Sequence, residues 1–206
     1  MAIISFLTLI ALATLARSQS QIPINPPTLT LPSDVVDVEC RPEFYPGFQT
    51  TSSQYDIPAT AFIEATKSFF NSTWYGEDIY ATEGTDNSPG SIRFGKVLGV
   101  PFAERLVGYF HRPHKLDIQF VLLNASLTLP VSPKPITVGP VYEELIFSSI
   151  CAETGTYVHM TVNYCTDRPV AAYDAYLNAR NDVLVALASK LGAKRFEGSC
   201  PLVSKT

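Results

Sequence analysis

The stretch from Val170 to Leu191 does most to limit what this chain can become. Arg168-Pro169 opens it and Gly192 closes it, the proline-first, glycine-last signature of a helix. Tyr173, Leu177, Leu184, Leu187 and Leu191 fall on one stripe at helical spacing. A helix this long and this one-sided needs a broad apolar partner, and a sheet is the partner that fits.

The chain before it supplies the strands. Phe48 to Tyr55 reads as a first strand. Asp56-Ile57-Pro58 reads as a helix start, with Asp56 as its cap, and Ala59 to Phe70 carries apolar residues at Phe62, Ala65 and Phe69. A short helix or turn spans Asn71 to Tyr75. β-type runs follow at Asp78–Glu83, Gly90–Leu98, Ala103–Arg112, Lys115–Leu123, Val141–Ala152 and Thr156–Cys165. Between them, Leu127 to Pro140 holds four prolines and reads as a long loop or irregular edge. The expected fold is α+β: a curved antiparallel sheet of about seven strands wrapped on the long C-terminal helix. Other cone-shaped α+β folds, such as the scytalone-dehydratase type, begin with helices rather than ending with one.

Composition bounds the function. The chain has 206 residues, a formal net charge of -4 and no run of lysine or arginine. Phosphate binding needs a basic footprint, so nucleic acid is not an expected partner. Ile3 to Ala16 is an apolar run of secretory length followed by Ala16-Arg17-Ser18, which predicts a signal peptide over 1–18 and no membrane span after its removal. Residues 19–47 are proline-rich and read as an extended arm, 48–192 as the ligand-binding domain and 193–206 as a tail. Asn71-Ser72-Thr73 and Asn124-Ala125-Ser126 are glycosylation sequons. Four cysteines remain, Cys40, Cys151, Cys165 and Cys200, an even number that suggests two disulfides with three possible connectivities. Together these features predict a secreted or secretory-lumen glycoprotein. No G-x-S-x-G elbow, G-x-G-x-x-G or P-loop is present, which argues against a common hydrolase, a dinucleotide enzyme and an NTPase. Cys-x-x-Cys spacing is absent and the histidines are His111, His114 and His159. The first two would point to opposite faces of a strand, so no metal site is expected.

The chemistry centres on Ser88 to Leu106. Arg93 and Glu104 stand on neighbouring β-type runs, and a turn between the runs sets them side by side. An inward Glu104 in an apolar cavity has a raised pKa unless Arg93 pairs with it. Unpaired, it is a general acid or base; paired, it orients a ligand or simply joins two strands. Strand alternation would then put Leu106 and Phe110 inside and Tyr109 and His111 outside. Tyr142, Glu144 and Tyr164 are further candidates, offering bulk and a hydroxyl donor, although Tyr142 is out of phase with the apolar run Val141, Leu145, Phe147.

Gly90-Ser91-Ile92-Arg93, Gly99-Val100-Pro101 and Glu104-Arg105-Leu106, set in this element order, resemble the helix-grip superfamily of START-like proteins. That superfamily includes birch-pollen-type allergens, polyketide cyclase/dehydrases and the plant abscisic-acid receptors. The resemblance covers about Phe48 to Leu191. It implies a deep apolar cavity under the last helix and a gate loop over Gly99–Ala103, so that Val100, Pro101 and Phe102 touch ligand. Glu104, Arg93, Tyr142, Glu144 and Asn181 would face that cavity. The receptors' strand lysine has no counterpart in Ile79–Thr82, and their His-Arg-Leu latch is missing, which argues against hormone reception. In such a fold the first and last strands are neighbours, which implies disulfides Cys40–Cys165 and Cys151–Cys200. Two functions are implied. One is a cofactor-independent cyclase or dehydratase acting on a small hydrophobic, polyketide-like intermediate of secondary metabolism, with Glu104 moving the proton and Arg93 or Tyr142 stabilising an oxyanion. The other is a non-catalytic carrier of a lipid or hydrophobic metabolite.

Overall fold

Antiparallel hairpins between successive strands, closed by the long-range pairing of β1 (Tyr45–Tyr55) with β8 (Gly155–Thr166), build one nine-stranded sheet. The computed structural model describes residues 38–200; the expected signal peptide and most of the expected N-terminal arm lie outside the described residues. The order along the chain is β1 (Tyr45–Tyr55), α1 (Ala59–Thr66), a 3-10 turn at Thr73–Tyr75, β2 (Asp78–Glu83), β3 (Ile92–Val97), β4 (Val100–Arg112), β5 (Lys115–Leu122), β6 (Leu127–Leu129), β7 (Ile136–Ile150), β8 (Gly155–Thr166), α2 (Pro169–Leu191) and β9 (Arg195–Phe196). Across the sheet the strands run β2-β3-β4-β5-β7-β8-β1-β9, with β6 against β7. This is the expected α+β helix-grip architecture.

Its departures from expectation are local. β6 and β9 are three and two residues long, too short for any period to show. β7 starts at Ile136, inside the segment expected to be a loop. β1 starts at Tyr45 and reaches into the expected arm. Asp56 does not cap α1, whose N-cap is Pro58 with no side-chain bond. Its carboxylate instead accepts the Lys194 N–H at 2.7 Å, and its N–H donates to the Lys194 carbonyl at 3.0 Å. Asp56 thus ties the chain beyond α2 back to the sheet.

The helix α2 buries Ala172, Arg180, Leu184, Leu187 and Ala188. The expected stripe began at Tyr173, which is 43% exposed. Leu184 and Leu187 are common to both sets, but the rest of the buried face is Ala172, Arg180 and Ala188, small or charged residues that an apolar count passes over. Gly192 closes the helix at φ +70°, a left-handed conformation that glycine adopts without steric cost.

Two apolar clusters fill the space between sheet and helices. One gathers Phe62, Phe69, Leu106, Phe120, Phe147 and Leu184. The other gathers Phe102, Ile136, Val138, Val162, Tyr164 and Ala172. Strand β4 changes phase between them. The β4–β5 register slips between Leu106 and Gly108, so Val107 is the extra residue of a β-bulge. Upstream, Phe102, Glu104 and Leu106 are buried; downstream, Phe110 is 56% exposed, and the half-buried Tyr109 donates its hydroxyl to the Lys67 carbonyl at 2.7 Å. The expected inward Phe110 and outward Tyr109 are therefore exchanged.

Cys40 bonds Cys165, and Cys151 bonds Cys200. β1 and β8 are antiparallel neighbours with Pro46 opposite Cys165, which brings the residues ahead of β1 to the end of β8. The second bond joins the β7–β8 turn to the segment beyond β9.

Candidate active site

A cavity of about 490 Å³ opens between α2 and the sheet. Its wall is mostly apolar. β3, β4 and β5 contribute Val97, Phe102 and Leu122; β6, β7 and the loop between them contribute Leu127, Leu129, Val131, Ile136, Val138 and Val141; α2 contributes Ala175, Tyr176, Ala179, Val183 and Ala186. Trp74, the only tryptophan, lines it as well and meets the core edge-on at Phe147. The polar lining includes the buried glutamates Glu77, Glu104 and Glu143, the exposed Asp182 of α2, and Arg180.

Two guanidinium groups organise those carboxyls. Arg93 and Glu104 are direct cross-strand partners on β3 and β4. Arg93 Nε donates to Glu104 Oε2 at 2.7 Å and Nη1 to the Phe69 carbonyl at 3.0 Å. Its Nη2 lies 2.6 Å from Glu104 Oε2 and 3.1 Å from Glu77 Oε2. Neither of those two approaches is aligned as a hydrogen bond, so both are ionic contacts. The rings of Phe69 and Phe120 flank the guanidinium at 4.5 and 4.7 Å. Arg93 therefore stands behind the wall, 4% exposed, and holds Glu104 without facing the cavity itself.

Arg180 is more fully engaged. Nε donates to the Tyr75 hydroxyl at 3.3 Å; Nη1 donates to Gln49 Oε1 at 2.7 Å and to the Gln49 carbonyl at 3.4 Å. Nη2 donates to Glu143 Oε2 at 2.7 Å and to the Thr161 carbonyl at 3.0 Å. Arginine has five N–H donors, and here five acceptors take them. One buried side chain thereby ties α2 to β1, β7, β8 and the 3-10 turn. Tyr75 in turn donates to Glu143 Oε2 at 2.7 Å.

These surroundings set the protonation states. Burial pushes the Glu104 carboxyl up, Arg93 pulls it down, and Glu77 and Glu143 push it up again, to about 8. Burial raises Glu77 too, against the pull of Arg93. Burial alone would lower the arginines, but their acidic neighbours more than offset it and keep both charged. Burial, reinforced by Glu143, holds the Tyr75 and Tyr176 phenols well above their ordinary value. Pairing and a raised pKa thus coexist at Glu104, because burial, with the repulsion of Glu77 and Glu143, outweighs the pull of Arg93.

The candidate residues are distributed unevenly around this site. Glu104 and Phe102 line the cavity. Val100 and Pro101 do not: they belong to β4, and Val97 pairs with Val100 across a two-residue turn, Leu98-Gly99, at φ +51° and +79°. The expected gate loop is a tight hairpin, and its residues on the wall are Val97 and Leu98. Tyr142 and Glu144 point to the other face of the sheet. There Gln119 donates to Glu144 at 2.9 Å, and the buried Tyr142 hydroxyl has no partner among the described residues. The face-in series on β7 is Val141, Glu143, Leu145, Phe147. Tyr164 is inward but stands behind the wall, stacked on Tyr176 at 5.0 Å. Gly47 makes room for it, since a Cβ there would fall 2.1 Å from the Tyr164 ring. Asn181 is not on the wall; its neighbour Arg180 is. His159 alternates with buried Val158 and Met160 and stacks on Tyr157 on the outer face. Among the described residues no His, Cys, Asp or Glu cluster could hold a metal ion, and no helix is long and apolar enough to cross a membrane.

Glu143 and Arg180 were the residues to be found, and each left a trace. Glu143 is in phase with Val141, Leu145 and Phe147. Arg180 fills the gap between Leu177 and Leu184 in an otherwise apolar stripe.

No protein-family model matches the chain, and no curated protein matches it. Solved structures do. A putative uncharacterized protein from Bacillus thuringiensis superposes with a TM-score of 0.53 at 15% identity, over 70% of this chain and 98% of that one. XoxI from Bacillus cereus gives a TM-score of 0.52 at 14% identity, over 70% and 95%. A hypothetical protein from Helicobacter pylori gives 0.51 at 9% identity, over 78% and 94%. At these identities the likeness is one of fold: this chain has the same sheet-and-helix architecture as proteins from three bacteria.

Proposed function

We propose that this protein binds a small, mostly apolar molecule in the cavity under α2 and moves a proton on it with Glu104, in a cofactor-independent cyclisation or dehydration of a polyketide-like intermediate. The observation that carries this reading is Glu104 itself: a cavity-lining carboxyl, nine-tenths buried, oriented from behind by Arg93 and shifted to about 8. A group that titrates near neutral pH both gives and takes protons at little cost, and water exclusion by an apolar wall favours chemistry over hydrolysis of an intermediate. The volume lies within the range of small-molecule pockets. Arg93 positions Glu104; any oxyanion would be met by the protonated Glu104, not by Tyr142, which faces away.

The breadth of the apolar wall favours a second reading, carriage of a hydrophobic metabolite without reaction. One experiment separates the two. Purified protein is incubated with extracts, and mass spectrometry identifies a retained molecule and follows its conversion in the wild type and in Glu104→Gln. Catalysis predicts retention by both and turnover slowed by about 10²–10⁴ in the variant, the usual share of acid–base catalysis. Retention by both with turnover in neither supports the carrier.

The proposal places this chemistry outside the cytosol. The two disulfides are compatible with an oxidising compartment, and residues 1–18 would be the signal that routes the chain there. Asn71 is exposed, and the Thr73 hydroxyl of its sequon donates to Asn71 Oδ1 at 2.8 Å. Asn124 is half-buried, its Oδ1 accepting the Ala103 N–H at 2.7 Å. Both would carry glycans, read as a mass loss on enzymatic deglycosylation.

A further inference from the structure

The polar groups on the cavity wall differ in what they have left to offer. The five Arg180 donors are spent on Tyr75, Gln49, Glu143 and Thr161. The Tyr75 hydroxyl gives its proton to Glu143. Among the described residues, every donor that reaches Glu143 does so at Oε2, and every one that reaches Glu104 does so at Oε2. The remaining oxygen of each carboxyl has no donor among the described residues. Glu77, 8% exposed and on the cavity wall, has its Oε2 buried against Arg93 Nη2 at 3.1 Å, and its Oε1 has no donor among the described residues.

Charge points the same way. Three buried carboxyls, Glu77, Glu104 and Glu143, share two guanidinium groups, Arg93 and Arg180. Fully ionised, the cluster is one positive charge short. The other titratable groups on the wall are Tyr75, Tyr176 and Asp182 of α2, none of them a cation. A buried carboxylate without a matching cation is costly, so in the empty cavity the shortfall is met by a proton.

We infer that the ligand of this cavity is a hydrophobic amine, whose protonated nitrogen donates to the unpaired carboxyl oxygens of Glu77, Glu104 and Glu143. An ammonium group has three donors and no acceptor, which complements a wall of acceptors, and its charge replaces the proton that the empty cluster retains. Glu104, held near 8 in the empty site, is ionised when the amine arrives, so binding converts it from an acid to a base. This inference rests on the reading of the cavity as a site for a small apolar molecule.

Three probes with one apolar body test it: 2-cyclohexylethylamine, 2-cyclohexylethanol and cyclohexylacetate. None absorbs where tryptophan does, so quenching or enhancement of Trp74 fluorescence reports binding. At pH 7 the amine is expected to bind at least tenfold tighter than the alcohol, and the acetate not at all. Calorimetry in two buffers of different ionisation enthalpy is expected to show close to one proton released per amine bound and none per alcohol. Glu77→Gln and Glu104→Gln, each checked for a cooperative melt, are expected to remove most of the amine's advantage over the alcohol. Equal or tighter binding of the alcohol, or amine binding without proton release, overturns the amine and leaves the apolar cavity standing. Failure of all three probes to bind at millimolar concentration overturns both. The proton count needs no variant, so a substitution that fails to fold does not spare the inference.

Discussion

Glu104 makes stability depend on pH in a direction that can be stated beforehand. Its folded-state value, about 8, lies above the ordinary 4.5. Between those values the folded chain holds a proton that the unfolded chain has released, so stability falls as pH rises from about 5 to about 8 and levels off above. Glu77, Asp117 and Glu144 are raised as well, each chiefly by burial, and add in the same sense. Glutamine imitates the protonated acid and cannot titrate. Glu104→Gln is therefore expected to change stability at pH 7 by less than about 1 kcal/mol and to flatten the fall of Tm between pH 5 and 8. A pH profile unchanged by the substitution would show that the proton sits elsewhere in the cluster. Arg180→Met is expected to behave very differently. It leaves Glu143 buried without its cation and the Gln49 oxygens without their donor, at a cost of about 3–5 kcal/mol, measured by urea denaturation.

At the scale of elements, turns and phase decide what each strand shows the cavity. Leu98 holds φ +51° at the tip of the β3–β4 hairpin, 63% exposed. A non-glycine residue pays about 1–2 kcal/mol for that conformation, and asparagine-glycine is the favoured pair for such a turn. Leu98→Asn is expected to raise stability by about 0.5–1 kcal/mol, seen as a higher Tm. It also removes an apolar side chain from the cavity wall, so ligand dissociation is expected to quicken. Phase is also where sequence reasoning reached its limit. The order of the long elements was legible because each long strand and the long helix carry their own period, which β6 and β9 are too short to show. The side that each strand turns inward was not, wherever the period breaks. On β4 the bulge at Val107 reverses the phase, and no residue type announces it. On β7 the register slips between Val138 and Val141, yet the apolar run beyond already favoured Glu143 over its neighbours. On α2 the buried Arg180 was not singled out, because its compensating partners, Gln49, Glu143 and the Thr161 carbonyl, come from three distant strands that only the fold assembles.

Over the whole molecule, the two disulfides act on loops of different size. Cys40–Cys165 spans 125 residues of sequence and Cys151–Cys200 spans 49. On loop-closure entropy, each contributes about 4 kcal/mol or slightly more, the longer loop slightly more than the shorter. Replacing Cys151 and Cys200 by serine is expected to lower Tm, and also to raise hydrogen exchange selectively at β9 and the end of α2, which that bond anchors. Replacing the other pair is expected to expose the start of β1. Both disulfide pairs are those that the helix-grip resemblance implied; the cysteines alone left three connectivities open.

The two bonds also overlap, because 151–165 lies inside both loops. Every peptide bond from Cys40 to Cys200 is therefore bridged by at least one of them. A protease that nicks this chain once anywhere in that span leaves the two pieces covalently joined. Under non-reducing electrophoresis the nicked protein should run as one species, and it should separate only after a reductant is added. In surroundings rich in proteases, such a chain can lose the continuity of its backbone and still keep its parts together.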